Sequence, residues 1–171
     1  MSKTQETRTR RFAQRGFGMV ETMVSLAVLS VGLLGLAGLQ AAGARANYNA
    51  YLQSQATVIA QDMFERIRSN PDGDYAILLG AGLPIGNAAC IGAGANCTAD
   101  DLARFDQIYL KCATGLVAGD VACTNRGIPA LLPGGDASIA VAGNDFTLTI
   151  QWFDTSMNQN TVMVFNATIE T

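Results

Sequence analysis

The hydrophobic pattern changes character along the chain. From Thr22 to Leu39, 18 residues pass without a charge, reading TMVSLAVLSVGLLGLAGL. A helix of that length is about 27 Å long, close to the roughly 30 Å hydrocarbon core of a bilayer. Further on, the apolar positions become periodic. Tyr48, Leu52, Ala56, Ile59, Met63 and Ile67 recur at spacings of three and four, which makes one stripe on one helix face. Gln53, Gln61, Asp62, Glu65 and Arg68 lie mostly elsewhere. Asp62 and Arg66 are an i,i+4 pair in the favourable order, and Arg66 and Arg68 suit the negative end of the helix dipole. Asn70-Pro71 then stops the helix and Asp72-Gly73 reads as a turn. The pattern predicts a helix from Phe17 to Ser69, about 80 Å long. Its first half is apolar on nearly all sides and its second half is amphipathic, so a sheet is expected against the stripe.

The last third alternates with period two. Ile139 and Val141 alternate within 137–142. Phe146, Leu148, Ile150 and Trp152 share one face of 145–153, opposite Thr147, Thr149 and Gln151. Met163, Phe165, Ala167 and Ile169 share one face of 161–169. Gly143-Asn144 suits a tight hairpin, and Asp154 to Asn160 is a longer turn. Between helix and sheet, residues 71–136 hold most of the 18 glycines and all 4 prolines. One short helix is expected there. Thr98 would be its N-cap, Asp100 and Asp101 its first turn, and Leu102, Phe105, Tyr109 and Cys112 its apolar face. The expected fold class is α+β: a long N-terminal helix, membrane-spanning in its first half, packed on a C-terminal antiparallel sheet of at least three strands.

Composition narrows the chemistry. Apolar residues make up 49% and charged residues 15%, less charge than the roughly 25% of an ordinary soluble domain, so intrinsic disorder is not expected. The absence of histidine excludes His-based triads, His-containing zinc sites and imidazole switches. The four cysteines, Cys90, Cys97, Cys112 and Cys123, all fall in the loop region, and none of their spacings is CxxC. No metal site is expected. On the oxidising side of a membrane an even count favours two disulfides. Three pairings are open; Cys90–Cys97 with Cys112–Cys123 is preferred because both close short loops. Asp100-Asp101 reads as a dipole-compensating helix start, and Asp72-Gly73-Asp74 as a turn without the further oxygen ligands of a calcium loop. No catalytic residue and no cofactor are expected.

The first 16 residues carry Lys3, Arg8, Arg10, Arg11 and Arg15 against Glu6 alone, whereas the remainder is acidic. An acidic body argues against nucleic acid as a partner. The basic start should stay cytoplasmic by the positive-inside rule, with the rest of the chain across the membrane. Three readings of this end compete: a secretory signal peptide cut near Gln40-Ala41-Ala42, a plain single-span anchor, or a leader removed between Gly16 and Phe17. Glu21 discriminates. A carboxylate at the membrane edge costs up to a few kcal/mol unless paired or neutralised, and a plain anchor gains nothing from it. Cleavage after Gly16 would create an amine at Phe17, one helical turn before Glu21. Glu21 of an incoming subunit could then pair with the Phe17 amine of a neighbour.

The stretch RGFGMVETMVSLAVLSVGLLGLAGLQ resembles the type III signal of type IV pilins and pseudopilins. AQDMFERIRSNPDG at 60–73, LLPGG at 131–135 and FTLTIQWFD at 146–154 extend the resemblance, on the minor-pilin side of that family, over nearly the whole chain. The resemblance implies that a prepilin peptidase cuts after Gly16 and N-methylates Phe17. It divides the chain into a leader (1–16), a transmembrane and assembly helix half (17–44), and a periplasmic head (45–171). The head would comprise the amphipathic half at 45–69, loops at 70–136 and the sheet at 137–169. One departure is Gly38, where many major pilins have proline; Gly32, Gly35 and Gly38 would loosen the helix instead, or permit close helix approach. The implied partners are the inner membrane, the prepilin peptidase, other major and minor pilins and the pilus assembly machinery. The implied destination is the pilus fibre or its tip. A minor pseudopilin of a type II secretion system is the alternative within the family. A pilus-tip ligand-binding or adhesion subunit is the alternative of a different class. An enzyme is not expected.

Overall fold

A computed structural model describes residues 18–85, 90, 96–117 and 119–169. Its elements are α1 (Met19–Ser69), α2 (Ala99–Thr114), α3 (Val121–Thr124), β1 (Asp136–Ala142), β2 (Asp145–Asp154) and β3 (Gln159–Thr168). The chain divides into two compact units at Ala44/Arg45. In the first, the apolar side chains of α1 from Met19 to Leu39 are all exposed. The second unit holds the core.

That core joins the stripe on α1 to the sheet. Leu52, Ala56, Ile59, Met63 and Ile67 are buried in one cluster with Phe146, Leu148, Ile150 and Trp152 of β2 and Ile139 of β1. Met163, Phe165 and Ala167 of β3 pack against it from the sheet's edge. Removing these side chains from water is the main stabilising term, at about 25 cal/mol per Å² of apolar surface. Tyr48, expected in the stripe, is instead 48% exposed, one turn beyond the first buried position, Leu52. Val141 is exposed as well, in the run of three exposed residues that ends β1.

The sheet is an antiparallel meander in the order β1-β2-β3. Ala142 pairs with Asp145 across the Gly143-Asn144 turn, and Gly143 takes a φ of +63°, the left-handed value a two-residue hairpin needs at its first central position. Phe146 pairs with Ala167, Leu148 with Phe165 and Ile150 with Met163, so the period-two faces stack in register.

Helix α2 begins as its sequence requires. The Thr98 hydroxyl accepts from the Asp101 N–H, and the Asp101 carboxylate accepts from the Thr98 N–H, a reciprocal capping box. The expected apolar face of α2 is only part of its packing. Leu102, Phe105 and Tyr109 are half-buried, whereas Ala103, Asp106, Gln107, Leu110, Lys111 and Ala113 are buried. The polar members of that set are held by specific partners, which apolar periodicity does not reveal. The LLPGG segment ties α2 to the sheet: the Leu131 N–H donates to the Ala113 carbonyl, and the Phe153 N–H to the Pro133 carbonyl. Gly135 lies so close to the Thr114 carbonyl that a Cβ there would collide with it. Helix α3, which the sequence pattern did not indicate, is one short turn capped by the Asp120 side chain. Cys90 is bonded to Cys97 and Cys112 to Cys123, with Cα separations of 5.8 and 5.5 Å.

Candidate functional site

The first turn of α1 presents the residue singled out by the sequence. The Glu21 and Thr22 N–H groups both donate to the Gly18 carbonyl, at 2.9 and 3.3 Å, and Glu21 is exposed in the acidic first turn. There its carboxylate faces the positive end of the helix dipole. The hydroxyls that interrupt the apolar run are satisfied inside the helix. Thr22 donates to the Met19 carbonyl, Ser25 to Glu21 and Ser30 to Leu26, each at 2.7–2.8 Å. None needs water, so the segment from Met19 to Leu39 suits an apolar solvent in all but Glu21. Nothing lies within 4 Å of a Cβ built at Gly32, Gly35 or Gly38, so these glycines are open to a neighbouring surface. The helix is long and apolar enough to cross a membrane. Gly16 and Phe17, the two sides of the expected cleavage, lie outside the described residues.

The 45–171 unit carries a second set of polar residues, which act on structure. The Arg66 guanidinium donates to Asp62 at 3.0 Å and to Asp106 at 2.9 Å, and lies 4.1 Å from the Tyr109 ring centroid. The Tyr75 hydroxyl donates to the other oxygen of Asp106 at 3.0 Å, and Asn70 donates to that hydroxyl and to the Ala99 carbonyl. Burial pushes the Tyr75 hydroxyl well above the ordinary phenol value. This network joins the end of α1, the Asn70–Asp74 turn and α2. The sequence indicated only its Asp62–Arg66 part. Asp106 is separated from Arg66 by 40 positions, and nothing local announces the pair.

A deeper ion pair lies beside it. Lys111 and Asp136 are 2.7 Å apart, with side chains 0% and 3% exposed. Lys111 also donates to the Leu78 carbonyl, and Asp136 accepts from the N–H groups of Gly80 and Ala137. Both Asp136 oxygens are bonded and the Lys111 ammonium has two acceptors, so neither buried charge is left unpartnered. It pins the loop at 78–80 and the start of β1 onto α2. Sequence reasoning missed both residues. The available signal was one lone lysine on a helix whose other face already had an apolar stripe. Among the described residues there is no cluster of acidic, Cys or His side chains able to hold a metal. Cys112 and Cys123 lie buried against Ile108 beneath an apolar cleft lined by Leu83, Ile108 and Val121.

An exposed apolar N-terminal helix with a single carboxylate in its first turn, and an α+β head whose amphipathic helix packs under an antiparallel sheet, define the type IV pilin fold. The comparisons agree. Residues 11–37 match a family model described as the prokaryotic N-terminal methylation motif, and residues 38–108 match one described as Type IV pilin Tt1218. The chain carries a type IV pilin domain behind an N-terminal methylation motif. No curated protein and no solved structure matches it.

Proposed function

We propose that this chain is a minor pilin that helps to prime or assemble a type IV pilus, resembling the type IV pilus modification protein PilV. Its role is structural rather than enzymatic. The observation that carries the reading is Glu21 at the head of a fully exposed apolar helix, within a matched methylation motif. A prepilin peptidase cuts between Gly16 and Phe17 and methylates the new Phe17 amine. Residues 17–39 hold the subunit in the inner membrane, with the head in the periplasm. Withdrawing that helix from lipid is costly unless another apolar surface replaces it. In this reading the helices of other pilins supply that surface, and Glu21 finds its counter-charge at the Phe17 amine of a neighbour. The catalytic groups belong to the peptidase, and the outside work to the assembly machinery.

The test separates processing from assembly. Gly16→Val should remain unprocessed in a host with an active prepilin peptidase; normal maturation would remove the leader reading. Glu21→Ala should be processed but poorly recovered in sheared fibres; undiminished incorporation would remove the pairing role. Loss of pili on deletion supports the pilus role. Loss of secretion with pili intact would assign the chain to a type II pseudopilus instead.

A further inference from the structure

We infer that the free edge of β3 is a strand-addition site, which takes an extended, uncharged backbone segment from a different subunit; the proposal rests on the assembly reading above. The ladder identifies which groups are free. Ala142 and Asp145 flank the two-residue turn, so the even positions of β1 bond to the odd positions of β2. The Ile169 N–H donates to the Asn144 carbonyl, which gives the same parity on the other side: the even positions of β2 bond to Thr161, Met163, Phe165 and Ala167. The N–H and C=O groups of Asn160, Val162, Val164, Asn166 and Thr168 therefore point away from the sheet. Among the described residues no other backbone group bonds to them.

Among the described residues this edge has none of the devices that normally block pairing. From Gln159 to Thr168 it holds no charge and no proline, and its ten residues pair one-to-one with β2 without a bulge. Val162 and Val164 are 51% and 56% exposed on the outer face. The opposite edge is protected, because Ile139 of β1 exchanges both backbone bonds with Ile77. A row of unpaired N–H and C=O groups is matched only by another extended backbone, and neighbouring β-branched residues favour a similar side-chain character in the incoming strand. Two ways of joining a second copy of this chain fail. Joined antiparallel through β3, it is related by a two-fold axis that turns its amphipathic helix half end-for-end, whereas subunits drawn from one membrane run the same way. Joined in parallel through β1, it meets the Ile77 bridge.

The test uses the full chain, in sheared fibres from its host and isolated in detergent. The Val164 N–H points outward, so Val164→Pro leaves the β2–β3 ladder intact and should keep the wild-type unfolding midpoint. Its recovery in fibres should fall about tenfold or more, because an added strand loses a bond and meets the ring. Val164→Thr should behave as wild type. Amide exchange at Val162, Val164 and Asn166 should be fast in the isolated chain and slow in fibres. Equal exchange in the two states, or wild-type incorporation of Val164→Pro, overturns the proposal alone. Protection that grows with the concentration of the isolated chain overturns it in favour of self-association. Absence of the wild-type chain from fibres removes the assembly reading, and the proposal with it.

Discussion

Replacing Lys111 with methionine should destabilise the head more than any other single polar substitution. The lysine is wholly buried, and its ammonium group is 2.7 Å from Asp136. Methionine roughly fills the volume of the stem but leaves Asp136 without its cation. Breaking a buried ion pair from one side costs about 3–5 kcal/mol. Here Asp136 keeps two donors, the N–H groups of Gly80 and Ala137, so the lower end applies, about 3 kcal/mol. For a domain of this size that corresponds to a fall in Tm of roughly 12 °C. The assay is thermal unfolding of residues 45–171, the unit that contains the whole core and the Lys111–Asp136 pair. The double variant Lys111→Met/Asp136→Leu removes both charges and should recover part of the loss. A shortfall of about 1–2 kcal/mol should remain, because the Gly80 and Ala137 N–H groups lose their acceptor and the Leu78 carbonyl its donor. A single variant within 1 °C of wild type, or a double variant less stable than the single one, would refute the reasoning.

Tyr75→Phe removes the hydrogen bond to Asp106 and should cost about 1–2 kcal/mol near neutral pH. Burial holds the Tyr75 proton in the folded state beyond the ordinary value, while the unfolded chain ionises near pH 10, so wild-type stability falls as pH rises past about 10. The variant should lack that part of the alkaline decline, as read from urea midpoints between pH 8 and pH 11. Thr98→Ala breaks the capping box and should cost about 1 kcal/mol. The Thr98 hydroxyl and N–H hold the Asp101 carboxyl below its ordinary value, a contribution present above about pH 4 and lost as pH falls further. The gap between the wild type and the Thr98→Ala variant should therefore narrow in acid titrations without closing, because the Thr98 hydroxyl still accepts from the Asp101 N–H. Replacing Cys112 and Cys123 together with serine opens a loop with a sequence separation of 11 and should cost about 3 kcal/mol, measured against the oxidised wild type in urea.

What was legible in the sequence follows the range of the interactions. The helix stop at Asn70-Pro71, the Thr98 cap, the Gly143-Asn144 turn and the alternation through Phe146–Trp152 are local or strictly periodic, and each lies where its pattern placed it. The misses are non-local. Asp106, Gln107 and Lys111 are polar residues on a buried face of α2, and their partners are Arg66, the Asp74 and Ala76 carbonyls, and Asp136. No spacing rule links those positions, so a face that reads as solvated lies in the core. Tyr48 shows the opposite error. Its spacing continues the stripe, but the core it would join ends one turn later, at Leu52. For the candidate site, Glu21 stood out because a lone carboxylate at the head of an 18-residue uncharged run has no structural reason to be there. The β3 edge was not legible, because which strand lies at the edge of a sheet depends on topology rather than on alternation.

The most direct test of the account is the mature N-terminus and intact mass of the chain purified from its own host. The mature chain should begin with N-methylated Phe17 and lack residues 1–16. A chain that begins near Ala42, without its apolar helix, or one that retains residues 1–16 in a host with an active prepilin peptidase, would contradict it.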